Sequence, residues 1–393
     1  MLIDGTNTAT FLLAETGALY ACGNNSYGQL GIGDNEHRST LEKVSVDESV
    51  KTVVIGSYTT YVLAVSGTLY ACGNNAFGQL GLRVDCDRST LQRVPLGESV
   101  KTIVTNDYSV YVLTISGALY SCGYNSYGQL GLGDSSDRST LQRMQLEEMV
   151  KTVVAGHSFV FVITVSGALY ACGTNFSGQL GLGDDENRLT LRRVPLVEKA
   201  KTVVIGSDST YVLTVSGVLY TCGDNEYGQL CLGDSRNRST LTRVPLEEEV
   251  AEMATNNAST FVVTVSGKLY ACGYNKHCRL GIGNERLSSA LQRVSMDESA
   301  KAVATSGNLT YVIAVSGKLY TCGQFGLGDD RERSTLLMVP MIESVKTTAP
   351  KYSSSFIVTV NDNFYACGIN AYGQLGLGDQ EARTVFTALP KIG

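Results

Sequence analysis

The chain has no tryptophan, three histidines and six prolines in 393 residues, and only 17% of it is charged. Each shortage removes a class of protein. Three histidines (His37, His157, His277) and the lack of a C-x-x-C pair leave too few ligands for a zinc site, and no metal or other cofactor is expected. A formal net charge of −6 excludes a broadly basic, non-specific nucleic-acid-binding surface. No apolar run reaches the roughly 20 residues of a membrane-spanning helix. The opening Met1-Leu2-Ile3-Asp4 lacks the charged and apolar regions of a secretory leader. An intracellular protein, cytoplasmic or nuclear and not membrane-bound, is the expectation. Catalytic motifs are missing too. There is no Gly-x-Ser-x-Gly elbow, Gly-Lys-Ser/Thr phosphate loop, EF-hand loop or Ser-x-Asp-x-Gly box. His157 has no evident Cys or Ser partner that is not also a repeat residue. The chain reads as a non-enzyme.

What is present is a repeat. The run GALYACGTNFSGQLGLGD (167–184) returns at 17–34 and 117–134 with few changes. Eight cysteines mark one position: Cys22, Cys72, Cys122, Cys172, Cys222, Cys272, Cys322 and Cys367. They step by 50 residues six times and then by 45, because the seventh copy, CGQFGLGD, is five residues short. Two aromatic series agree, one running from Phe11 to Phe356 and the other from Tyr20 to Tyr365, and both give eight copies across 1–393, one domain. Each unit alternates apolar and polar residues in short runs. In the fourth copy these are 168–172, 190–196, 201–205 and 210–215, with a glycine-punctuated loop at 173–184. Four short strands per unit predict a β-propeller blade in an all-β chain. Met1 aligns with Lys201 and Gly393 with Glu198, so the two ends complement each other. That arrangement predicts a closed ring whose last blade takes strands from both termini. Equivalent cysteines of neighbouring blades should stand farther apart than the roughly 7 Å a disulfide allows, so free, buried thiols in a reducing compartment are expected. Cys231 and Cys278 replace glycines of the repeat.

The unit L-Y-x-C-G-x-N-x-Y-G-Q-L-G-x-G-D resembles the RCC1 repeat, the repeat of the regulator of chromosome condensation, at Gly23, Asn25, Gly28, Gln29, Leu30, Gly31 and Gly33, and again along the whole chain. The resemblance implies a propeller, normally of seven blades, in a family that includes exchange factors for the small GTPase Ran, domains of ubiquitin ligases, an ultraviolet receptor and a β-lactamase inhibitor. Eight copies against seven leave two readings: a larger ring, or a shortened seventh copy that is not a full blade. The family's tryptophan before the glycine is cysteine here, and a receptor built on a tryptophan cluster is excluded. No insertion or basic tail matches the wedge of a Ran exchange factor.

A residue present in every copy serves the blade. The repeated Asn25 and Gln29 series should satisfy loop and inter-blade backbone groups. The Arg38 series should pair with the Asp34 series, and the Lys51 series should be solvated turn residues. Recognition should use the positions where the copies differ, above all one short loop per unit. Tyr58, Asp107, Tyr108, His157, Asp208, Asn257, Asn308 and Tyr352 occupy it and are the candidate partner-binding residues. The first expectation is therefore a monomeric protein-interaction scaffold, with a small GTPase as a candidate partner and nucleotide exchange as a candidate activity. The alternatives are a lectin-like or small-ligand ring using the repeated Asn, Gln and Arg, and a structural or assembly protein.

Overall fold

A computed structural model describes residues 2–5, 8–106, 108–323, 331–351 and 354–390. It contains eight four-stranded antiparallel sheets, each made of four consecutive strands. The strands of a blade are called a to d here. In blade 2 they are Val50–Ile55, Thr59–Ala64, Leu69–Gly73 and Arg88–Arg93. The a strands of neighbouring blades approach within 8 Å between Cα atoms and surround the central channel, while d is outermost. Strand b is buried along its whole length, as its β-branched and aromatic residues require.

The core is divided among the seams. Eight apolar clusters among the described residues each straddle two adjacent blades. Tyr61, Leu63 and Leu80 of blade 2, for example, pack on Ile103, Val110 and Val112 of blade 3. One cluster joins Leu12 of blade 1 to Phe356, Val358 and Leu375 of blade 8, so the ring is closed.

Closure does not use a shared sheet. Blade 1 is Leu2–Gly5, Ala9–Leu13, Leu19–Gly23 and Arg38–Val44, and blade 8 is Val345–Pro350, Ser354–Thr359, Phe364–Gly368 and Arg383–Ala388. The termini meet as whole blades rather than as strands of one composite blade. The reason is phase. A 50-residue periodicity fixes the length of a unit but not its starting point, and the blade starts at the segment that the sequence counts third. The shortened seventh copy is a complete blade, with strands Ala300–Ser306, Leu309–Ala314, Leu319–Gly323 and Arg333–Met338. Its deletion falls in the c–d loop.

That c–d loop, which carries the family signature, clasps the next blade. Gly33 N–H donates to the Ser89 carbonyl at 2.8 Å, and Gly133, Gly183 and Gly233 repeat the bond to Leu189, Ser239 and Ser289. Across the closing seam Gly378 N–H donates to Ser39 at 2.9 Å. Gly23 shows why glycine must start the loop. Its φ is +105°, and a Cβ there would lie 2.3 Å from the Thr8 carbonyl oxygen.

The free-thiol expectation fails at one pair. Cys231 and Cys272 form a disulfide with Cα atoms 5.6 Å apart. Cys231 occupies another glycine position of the clasp loop, and at the equivalent Gly31 a Cβ would lie 3.1 Å from the neighbouring Cys72 sulfur. The bond therefore links non-equivalent positions of blades 5 and 6, a pairing that comparison of equivalent positions cannot reveal. The remaining repeat cysteines are free and buried, and burial pushes Cys22 up to about 12.

Candidate site at the hairpin mouth of the channel

Backbone register places the a–b hairpins and the c–d loops at one end of the ring. Thr59 pairs with Gly73, and Asn74 N–H donates to the Tyr58 carbonyl at 2.8 Å. The same contacts recur in blade 3 between Ser109 and Gly123 and between Tyr124 and Tyr108. The variable hairpins thus crowd one mouth of the channel, with the clasp loops around them.

The repeated polar residues are spent on structure. Asn25 is fully buried; its Nδ2 donates to the Asp34 carbonyl at 2.8 Å and its Oδ1 accepts from Leu30 N–H at 2.8 Å. The Gln29 side chain is also buried, accepting from Tyr27 N–H and donating to Asn24. The main-chain carbonyl at this glutamine is a hub between blades. That of Gln229 accepts from the Tyr211 hydroxyl of its own blade at 2.8 Å and from the Thr260 hydroxyl of the next at 2.9 Å. The repeated arginines hold their aspartates: Asp34–Arg38 and Asp134–Arg138 at 2.6 Å, Asp184–Arg188 at 2.5 Å and Asp234–Arg238 at 2.7 Å. Backbone N–H and guanidinium contacts hold these carboxyls below the usual range. Little of the Asn, Gln and Arg series is left for a sugar.

The variable residues behave differently. His157, Asp208 and Asn257 line one open pocket of about 570 Å³, together with Asn106, Ser207 and Asn256. Two asparagines that the sequence reading missed tie the hairpins together. Asn106 Nδ2 donates to the Gly156 and His157 carbonyls at 3.0 and 3.1 Å, and Asn256 Nδ2 reaches Thr305 and Gly307 at 3.0 and 3.2 Å. Most copies have glycine or another small residue there, and that difference between copies was the available signal. Asp208 accepts from Gln179 Nε2 at 3.0 Å. Its outer edge meets solvent, yet desolvation by the pocket wall, followed by the Asp224 carboxylate, raises its pKa, with His157 opposing.

Tyr58 and Tyr108, on the same face, each pack on an aromatic residue of the preceding blade. Tyr58 packs on Tyr27 at 5.0 Å between ring centroids, and Tyr108 on Phe77 at 5.2 Å. From Phe77 the contacts continue through Tyr124 and Tyr127 to Phe176 at 5.1, 6.4 and 6.0 Å. Tyr27 and Tyr58 are each 37% exposed and Phe176 68%. Asn308 is engaged elsewhere, accepting from Arg279 Nη2 at 2.5 Å. Asp107 and Tyr352 lie outside the described residues.

The model of the regulator of chromosome condensation (RCC1) repeat matches residues 16–63, 116–163 and 166–213, and a second RCC1-repeat model matches 50–79 and 200–229. Among solved structures, human WBSCR16 is similar with a TM-score of 0.67 and 19% identity, covering 84% of this chain and 97% of that one. Prp20p of Saccharomyces cerevisiae, whose structure is described with its binding to Gsp1p and histones, gives 0.65 and 18%, covering 86% and 90%. Likeness at this identity concerns the fold. No helix among the described residues is long and apolar enough to cross a membrane.

Proposed function

The chain belongs with the RCC1-repeat β-propellers, and we propose that it is a protein-binding propeller whose hairpin face docks a partner, acting as a regulator or exchange factor of a small GTPase. The observation that carries this reading is the pairing, on one face, of a polar pocket with an exposed aromatic series. The pocket residues and Tyr58, Tyr108, Tyr124 and Phe176 stand where the copies differ, whereas Tyr27, Phe77 and Tyr127 are the repeat's own aromatic. Aromatic anchors sharing a face with a polar pocket are what a protein interface concentrates its binding energy on. Binding of Prp20p to Gsp1p supports a GTPase as the partner class. Exchange needs no catalytic set, because a docked surface that distorts the nucleotide site suffices. A scaffold role without exchange uses the same face.

The test is a panel of small GTPases loaded with fluorescent GDP, with binding and nucleotide release followed together. Accelerated release by the native chain, lost on Tyr58→Ala, Tyr108→Ala and His157→Ala, is the expected result. Binding that those changes weaken, without release, retains the docking face and removes exchange. Binding or release that survives all three changes places the interface elsewhere.

A further inference from the structure

The opposite mouth of the channel carries a different chemistry. Strand a begins there, beside the b–c turn, as the pairing of Val50 with Ala64 shows. Six blades place lysine at the second residue of that strand: Lys51, Lys101, Lys151, Lys201, Lys301 and Lys346. All six are exposed. Lys346 pairs with Asp362 at 2.9 Å. The other five make no side-chain hydrogen bond or ion pair among the described residues, whereas the Asp–Arg pairs of the hairpin face recur around the ring.

Three carboxylates of this face are drawn outward. Tyr70, Tyr120 and Tyr170, on the c strands, donate to Glu48, Glu98 and Glu148 at 2.8, 2.7 and 3.0 Å. These three acids therefore sit toward the rim, outside the unpaired lysines of the a strands. Neighbouring a strands lie within 8 Å between Cα atoms. The lysines stand at the same register of these neighbouring strands, so they face one mouth of the channel and their potentials reinforce one another. The walls of the channel mouth concentrate that field further. The arc is continuous over blades 2 to 5 and is broken in blade 6, where Ala251 replaces the lysine and Glu249 stands nearby.

We infer that this lysine arc is a binding site for a compact, soluble, multiply phosphorylated anion. A monovalent ion can engage one or two ammonium groups and loses to salt. A small ligand with several phosphates bridges neighbouring blades and gains from each. Lysine suits this role as a point-charge phosphate binder that needs no fixed fork geometry. The inference is independent of the hairpin face and of any GTPase.

The experiment is isothermal titration of the whole chain with myo-inositol hexakisphosphate and with tripolyphosphate at low and physiological salt. The expected result is binding that weakens steeply with salt. It should also be at least tenfold weaker in the combined variant Lys51→Gln, Lys101→Gln, Lys151→Gln, Lys201→Gln, and unchanged in Arg138→Gln on the other face. The four lysines are exposed, and an unchanged melting temperature of the variant confirms that its fold is intact. Absence of binding at low salt overturns the inference, as does equal affinity of the combined variant. Capture by vesicles bearing phosphorylated lipids, with neither soluble anion bound, overturns it as well.

Discussion

At the scale of the residue, the same tyrosine meets two fates. In blades 2, 3 and 5 the Tyr61, Tyr111 and Tyr211 hydroxyls donate to Gln79, Gln129 and Gln229 carbonyls at 2.7, 2.8 and 2.8 Å. In blade 7 the loop is five residues shorter, and the Tyr311 hydroxyl is buried with no hydrogen-bond partner among the described residues. A net hydrogen bond contributes about 1 kcal/mol, whereas an unmade one leaves only the desolvation cost. Tyr111→Phe should therefore destabilise by about 1 kcal/mol, and Tyr311→Phe should be neutral or stabilising. Urea denaturation of the two variants checks this, and equal losses would refute it. Asp208 gives the complementary case. Its folded pKa is raised, so ionisation costs the fold stability at pH above the ordinary carboxylate range, and that cost disappears once the group is protonated in both states. Asp208→Asn should raise the melting temperature at pH 7, leave it unchanged near pH 3, and weaken partner binding. A lowered melting temperature at pH 7 would show the carboxylate to be structural. Three of the candidate residues, His157, Asp208 and Asn257, stood out in the sequence because the copies differ there, but their lining of one pocket did not. The aromatic series did not stand out either, because Phe77, Tyr127 and their equivalents look like loop structure when only the repeat is compared. Their neighbour relations arise across seams, between residues of different copies.

At the scale of the element, the c–d loop is the working part of the blade. Its sequence is kept almost unchanged from copy to copy because its glycines, asparagine and glutamine carry it onto the next blade. The four-strand composition of the unit could be read from alternation and turns. The phase could not, because a periodic chain offers no preferred starting residue until strand pairing chooses one. The disulfide shows how a clasp tolerates a change. Cys231 takes the glycine's left-handed φ of 61° and bonds to Cys272 across 41 residues. A cross-link closing a loop of that length is worth roughly 2–4 kcal/mol. Under non-reducing conditions Cys231→Gly, which restores the residue of the other copies, should melt earlier than the native chain. Under strong reductant the order should reverse or vanish, since glycine accepts positive φ without cost. Melting curves with and without reductant decide it, and a native chain indifferent to reductant would mean that the pair does not hold the seam.

At the scale of the whole molecule, stability depends on a circle of seams rather than on one core. In an open array of repeats, damage to a terminal seam leaves the inner repeats folded, because each unit interacts only with its neighbours. A closed ring has no terminal seam, and loss of any one should cost the same. Two equivalent glycines separate these cases. Gly373, at the seam between blades 8 and 1, has a φ of +75°, and a Cβ on it would lie 2.3 Å from Ser39 Cα; Gly78, inside the ring, has a φ of +74°, with Ser139 Cα at 2.4 Å. Alanine at either position must displace backbone of the neighbouring blade and adopt a strained φ, a combination costing more than about 1 kcal/mol. Calorimetry of Gly373→Ala and Gly78→Ala should show the same fall in a single cooperative transition. A much smaller loss for Gly373→Ala, or a separate early transition confined to the end blades, would mean that the closing seam bears less than its share. The ring would then behave as an open chain of blades with touching ends. Equal losses would mean that the clasp of Gly378 onto Ser39 and the packing of Leu12 against Phe356 and Leu375 hold as firmly as any internal seam. Only in that case do the hairpin pocket and the lysine arc stay in fixed register, since each is assembled from several blades.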